Sequence, residues 1–133
     1  MNNWQDWYNS LNKPEWTPTG DIISLIWTFL YPIIFITYGY VFYKKLWKKD
    51  WENISLTPFL LNLLFNFLFT PIFFFLKNIP LATLDITLVW ITTIWTMFVI
   101  YKRSKIIAML QIPYLIWVSV ALTIQYIIFL SNL

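Results

Sequence analysis

Hydrophobic residues along this chain gather into four long runs, Ile22 to Phe42, Leu56 to Leu76, Leu81 to Tyr101 and Ile106 to Leu130, and the charged residues fall almost entirely between them. Each run matches the ~20 apolar residues that a helix needs to cross a bilayer. Asp85 is the only formally charged residue inside any run, so all four insert at tolerable cost. The pattern predicts an all-α integral membrane bundle of four transmembrane helices. Residues 1–21 form a leader that contains Asp6 and Glu15 but no apolar run, so it does not read as a cleavable signal peptide. The connections are short, which predicts antiparallel neighbours within one domain spanning residues 1–133.

The polar and aromatic positions inside the runs recur at helical spacing. Trp27, Tyr31, Ile34 and Tyr38 stay within an arc of about 60° on the first span. Asn62, Asn66, Phe69 and Phe73 do the same on the second, while Asp85, Leu88, Thr92 and Thr96 form the stripe on the third and Tyr114, Trp117, Ala121 and Gln125 that on the fourth. Amides and carboxylates are costly against acyl chains, so Asn62, Asn66, Asp85 and Gln125 are expected to face inward. Together with Trp27, Tyr31, Phe69 and Trp117 they suit a flat aromatic pocket for a large planar ligand. The plainer alternative is that the amides join helix to helix and that the Trp and Tyr residues form interfacial belts. Pro58 falls in the first turn of its span, where the missing N–H costs little. Pro32, Pro71 and Pro113 fall inside spans and are expected to bend or loosen them, unless the surrounding bundle simply absorbs them.

Composition narrows the chemistry further. The chain is 59% hydrophobic and 11% charged, with a mean hydropathy of +0.64, outside the range of soluble domains. It has no cysteine and no histidine. Disulfides, thiolate nucleophiles, Cys/His metal sites and imidazole-ligated haem are therefore excluded. The net charge of +3 is explained by position and implies no nucleic-acid partner. Lys44, Lys45, Lys48 and Lys49 follow the first span, and Lys102, Arg103 and Lys105 join the third to the fourth, so seven of the nine basic residues lie at one end. The positive-inside rule then places both termini on the non-cytoplasmic side, in what reads as a prokaryotic cytoplasmic membrane.

An ordered set of motifs runs through nearly the whole chain: Trp7-Tyr8, Leu11, Lys13-Pro14, Trp16-Thr17-Pro18, Trp27 with Leu30-Tyr31, Asn66, Pro71-Ile72-Phe73-Phe74, Asp85, Ala108, Leu110, Pro113-Tyr114, Trp117, Ala121 and Asn132. In this it resembles the TspO family, the tryptophan-rich sensory proteins that include the mitochondrial translocator protein or peripheral benzodiazepine receptor. The resemblance implies a small helical membrane protein that binds protoporphyrin IX, haem or benzodiazepine-type ligands within the bundle, without a required cofactor. It implies pocket roles for Trp27, Asn66, Phe69 and Trp117, and a lid over residues 12–21 carrying Lys13, Pro14, Trp16 and Pro18. Lys13 could meet a porphyrin propionate near the lid, although a snorkelling surface lysine is the more ordinary reading of the sequence.

The departures have consequences of their own. The family has five spans, with its Lys-Pro…Trp-Thr-Pro loop between the first two, whereas about a dozen residues precede that loop here; the chain reads as lacking the first helix, which makes a homodimer the expected way to close the pocket. Thr19 replaces a proline, Asn62 stands where glutamine is common, Phe69 where tryptophan is common, and Gln125 where asparagine is expected. Leu122 and Tyr126 begin a cholesterol-type pattern with no Lys or Arg after it, so sterol binding is not expected. Light-dependent porphyrin breakdown is implied only by the resemblance, because no nucleophile is paired with a base. Two other classes fit the residues: a small dimeric proton-coupled exporter of lipophilic cations working through Asp85, and a membrane scaffold with a decayed pocket.

Overall fold

The computed structural model describes residues 3–49 and 51–132. A short helix, α1 (Asn3–Ser10), precedes α2 (Gly20–Phe42), α3 (Thr57–Thr70), α4 (Ile79–Tyr101), α5 (Lys105–Leu110) and α6 (Ile112–Ser131). Four helical stretches, 20–47, 57–75, 79–101 and 105–131, are long and apolar enough to cross a membrane. They begin and end within a few residues of the four hydrophobic runs, except that the first continues five residues further.

Side-chain caps set several helix starts. The side-chain oxygens of Thr19, Asn78 and Ser104 accept hydrogen bonds from the backbone N–H groups of Ile22, Leu81 and Ile107, satisfying donors that a helix start leaves open. The ends of α2 and α3 share a device. Each widens into a π-helical turn, Tyr43–Trp47 and Pro71–Phe75, and each is followed by a lysine in the left-handed region, Lys49 at φ 60° and Lys77 at φ 52°. At Pro71 the cause is local: proline has no N–H for the carbonyl one turn back, and the helix loosens from that residue. The fourth hydrophobic run is interrupted for the same reason. Pro113 cannot donate to the carbonyl of Met109, and α5 gives way to α6 at Gln111. Pro32, in contrast, lies inside an uninterrupted α2.

The bundle is organised around α4, which packs along α3 and α6 and also touches α5, while α2 lies against α5 and α6. The buried face of α4 is unusually polar, with Thr83, Asp85, Thr92, Thr93 and Thr96 beside Ala82, Ile86, Val89 and Ile100. The outward positions are apolar: Phe29 is 66% exposed, Ile36 70%, Phe98 69% and Ile106 72%. Apolar side chains outside and hydrogen-bonding groups inside is the distribution that lipid as solvent demands. Threonine hydroxyls on α4 are satisfied locally, Thr83 donating to the Ile79 carbonyl and Thr93 to that of Val89. At the end of the bundle that holds the chain termini, Trp7 and Tyr8 of α1 and Leu11 just after it pack onto a small core of Ile72, Phe73, Ala82, Ile124 and Ile128. Trp7 meets Phe73 edge-on at 5.0 Å. At the other end, the Lys45 ammonium donates to the carbonyls of Glu52 and Ile54 and so ties down the loop between α2 and α3.

Candidate functional site: an aromatic cavity within the bundle

A cavity of about 510 Å³ opens among α1, α2, α3, α4 and α6. Its walls hold seven of the residues expected from the sequence: Trp27 and Tyr31 from α2, Asn66 and Phe69 from α3, and Trp117, Ala121 and Gln125 from α6. Two flat surfaces result from their spacing. Trp27 stacks on Tyr31 with centroids 5.1 Å apart and planes 27° apart, and Phe69 stacks on Phe73 at 5.4 Å and 9°. Each pair lies four residues apart on one helix, the spacing that sets side chains one above the other.

Asn66 is the polar group best placed in this wall. Its carbonyl accepts from the Tyr31 hydroxyl at 3.2 Å, and its amide donates to the Tyr114 hydroxyl at 2.6 Å. Tyr114, fully buried, in turn donates to the Asn62 carbonyl at 3.0 Å, which also accepts from Tyr38 at 2.8 Å. The Asn62 amide then donates to the hydroxyls of Thr92 and Thr93, both at 2.9 Å. A single directed chain of hydrogen bonds thus leads from the cavity wall into the bundle's core through α2, α3, α6 and α4. Gln125, at another part of the wall, donates to the Thr83 hydroxyl at 3.1 Å. The Trp117 indole N–H is buried with no partner among the described residues, an unspent donor on a residue of the cavity wall.

Other expected site residues lie elsewhere. Asn62 and Tyr114 do not line the cavity; they form the sealed inner part of the network, which joins helices. Asp85 is buried and also stays out of the lining, although Ile86 next to it contributes. One Asp85 carboxylate oxygen has no partner among the described residues.

The lid residues Lys13, Pro14, Trp16 and Pro18 do not line the cavity either. Trp16 is 56% exposed and faces away from the core. The Lys13 ammonium donates to the Tyr8 carbonyl at 2.6 Å and sits 4.5 Å from the Tyr8 ring centroid. Burial pushes the Tyr8 phenol above its ordinary pKa and the Lys13 ammonium below its own. The loop is fastened at its start to the end of α6: the backbone N–H of Asn12 donates to Asn132 Oδ1, and the Asn132 amide returns a hydrogen bond to the Asn12 carbonyl.

The leader reaches the cavity instead through Tyr8 and Gly20. Tyr8 was missing from the expected site, as were Phe73 and Phe74. The spacing of Trp4, Trp7, Tyr8 and Leu11, an apolar face at i, i+3, i+4 and i+7, is the signal that points to a docked helix there.

Fold and cavity together define an integral membrane helical bundle with an internal, mainly aromatic pocket. The TspO/MBR family model matches residues 1–130, and the chain belongs to that family. It is 36% identical over 132 residues to the "Uncharacterized membrane protein YtaB" of Bacillus subtilis, a match covering 97% of this chain and 82% of that protein. It is 35% identical to "Tryptophan-rich protein TspO" of Bacillus cereus, over 95% of this chain and 80% of that one. The "Translocator protein" of Sus scrofa is 30% identical, with 95% and 75% covered. Among the described residues no cluster of three or more acidic, Cys or His side chains could hold a metal ion.

Proposed function

We propose that this TspO-type membrane protein binds porphyrins, or planar hydrophobic molecules of similar size, in the aromatic cavity, and that it acts in tetrapyrrole transport, degradation or stress sensing. The observation that carries the reading is the cavity itself. Its volume of about 510 Å³ falls within the roughly 300–1,000 Å³ typical of small-molecule pockets. The stacked pairs Trp27–Tyr31 and Phe69–Phe73 offer planar faces to a planar ring, and Asn66 and Gln125 supply a few polar groups for orientation. With no histidine in the chain, metal-free protoporphyrin IX is a more natural ligand than axially ligated haem. Asp85 lies outside the cavity lining, which leaves the proton-exchange reading without a direct path between acid and ligand.

The test is a protoporphyrin IX titration of the protein in nanodiscs, followed by quenching of tryptophan fluorescence. The parent protein is expected to show saturable quenching in the micromolar range, ~8 kcal/mol of binding. A Trp27→Ala, Trp117→Ala double variant should bind at least about tenfold more weakly, each lost ring contact contributing on the order of 1 kcal/mol. Equal, non-saturating quenching in both proteins would mean partition into lipid, and the scaffold reading would then stand ahead.

A further inference from the structure

A second concavity, also of about 510 Å³, lies between α4 and the α5–α6 junction and shares no lining residue with the aromatic cavity. Ile94, Met97, Phe98 and Tyr101 form one side, and residues on both sides of the helix break, Met109 and Leu115 among them, form the other. Two physical features made it. The break at Gln111 offsets α5 from α6, and Ala108 presents only a methyl group to α4 where a larger residue would fill the gap. The groove is apolar throughout and about 10 Å long, the rise of seven residues from Ile94 to Tyr101. Phe98, Tyr101 and Met109 are 69%, 54% and 60% exposed on its rim, so it faces the bilayer.

One end of this groove runs directly into the turn Lys102-Arg103-Ser104-Lys105. The Lys105 ammonium stands 5.7 Å from the centroid of the Tyr101 ring, at the groove's mouth. The chain contains no Asp or Glu after Asp85, so neither helix that follows the turn can neutralise it. Among the described residues, none of the three cations is in an ion pair. Ser104 Oγ accepts from the Ile107 N–H and keeps its own proton to donate.

We propose that the groove binds an anionic phospholipid, its phosphate held by Lys102, Arg103 and Lys105 and the first part of an acyl chain lying along Met97, Phe98, Met109 and Leu115. A dry apolar trough that ends at the membrane surface in three cations with no ion pair among the described residues is complementary to that molecule at both ends. An arginine fork suits two phosphate oxygens, and two methionines adapt to an irregular chain. A zwitterionic lipid brings its own cation to the phosphate and fits the turn less well; free phosphate has nothing to lay in the groove.

Native mass spectrometry after equilibration with equal amounts of phosphatidylglycerol and phosphatidylcholine of the same chain length tests the proposal. The parent protein should retain phosphatidylglycerol preferentially, and replacement of Lys102, Arg103 and Lys105 by glutamine should lower its retention by about fivefold for each charge removed. Met109→Trp, on the exposed rim, keeps every charge and should reduce retention by filling the groove. Excess inorganic phosphate should leave the lipid bound. Equal retention of both lipids by the parent, an undiminished preference in the glutamine variants, or displacement by phosphate would each overturn the assignment. All substituted positions are exposed, and porphyrin titration of the same samples reports separately on the aromatic cavity.

Discussion

Asn62 and Asn66 are one helical turn apart on one stripe, yet the structure gives them different work. Asn62 is fully enclosed and answers two phenols and two threonine hydroxyls; Asn66 shows one side to the cavity. Asn62→Leu would remove the acceptor that the hydroxyl protons of Tyr38 and Tyr114 share, away from water. The cost of a stranded buried donor is about 1–3 kcal/mol in general, while hydrogen bonds between membrane helices average nearer 0.6 kcal/mol. A loss of about 1–3 kcal/mol in unfolding by a denaturing detergent is expected for Asn62→Leu, with porphyrin affinity little changed. Asn66→Leu should show the reverse balance, a several-fold weaker porphyrin titration with a smaller loss of stability. If both variants moved the two readouts in parallel, the division between a sealed knot and a functional wall would be wrong. The helical period placed both residues on an inward face but was silent on depth. How far along its axis each side chain meets its neighbours depends on the shift of one helix against the next, and no single helix encodes that.

The same limit governs the elements. Long apolar runs made the four crossings legible to within a few residues, because lipid solvent imposes both their length and their composition. The Gln111 break was signalled only by Pro113, and α1 only by a four-residue apolar face that a search for long runs passes over. Gln111 shows why a break can persist. It is fully buried at the meeting of α5 and α6, its amide donates to the Thr37 hydroxyl at 2.6 Å, and its carbonyl has no partner among the described residues. The Thr37 hydroxyl keeps a hydrogen bond to the Ile33 carbonyl without it. Gln111→Leu therefore removes an unsatisfied acceptor and strands no donor, the arrangement in which replacing a polar group by an apolar one costs little. The expected change in stability is within about 1 kcal/mol of the parent in either direction, in contrast to Asn62→Leu under the same conditions. A larger loss would show that the Thr37 hydrogen bond holds α5 against α2, and hydrogen exchange across residues 105–111 would locate it.

At the scale of the molecule, topology and charge can be joined. Each of the four stretches crosses once, so the loop after α2 and the turn after α4 share one end of the bundle, opposite both termini. Seven of the nine basic residues lie at that shared end. The positive-inside rule counts Lys and Arg in short loops next to the spans, and both basic segments are short, which makes the bias a strong determinant of orientation. The absence of native cysteine makes the expectation directly testable. Glu15→Cys and Lys48→Cys each place one thiol at an exposed position, on opposite sides of α2. In intact cells a membrane-impermeant maleimide should label the Glu15→Cys variant and spare the Lys48→Cys variant until the membrane is permeabilised. The opposite pattern would invert the protein, and would show that its orientation is set by something other than the lysines and arginine at the ends of α2 and α4. It would also carry the lipid-binding turn to the outer leaflet, so one labelling experiment decides which lipid pool that groove can sample.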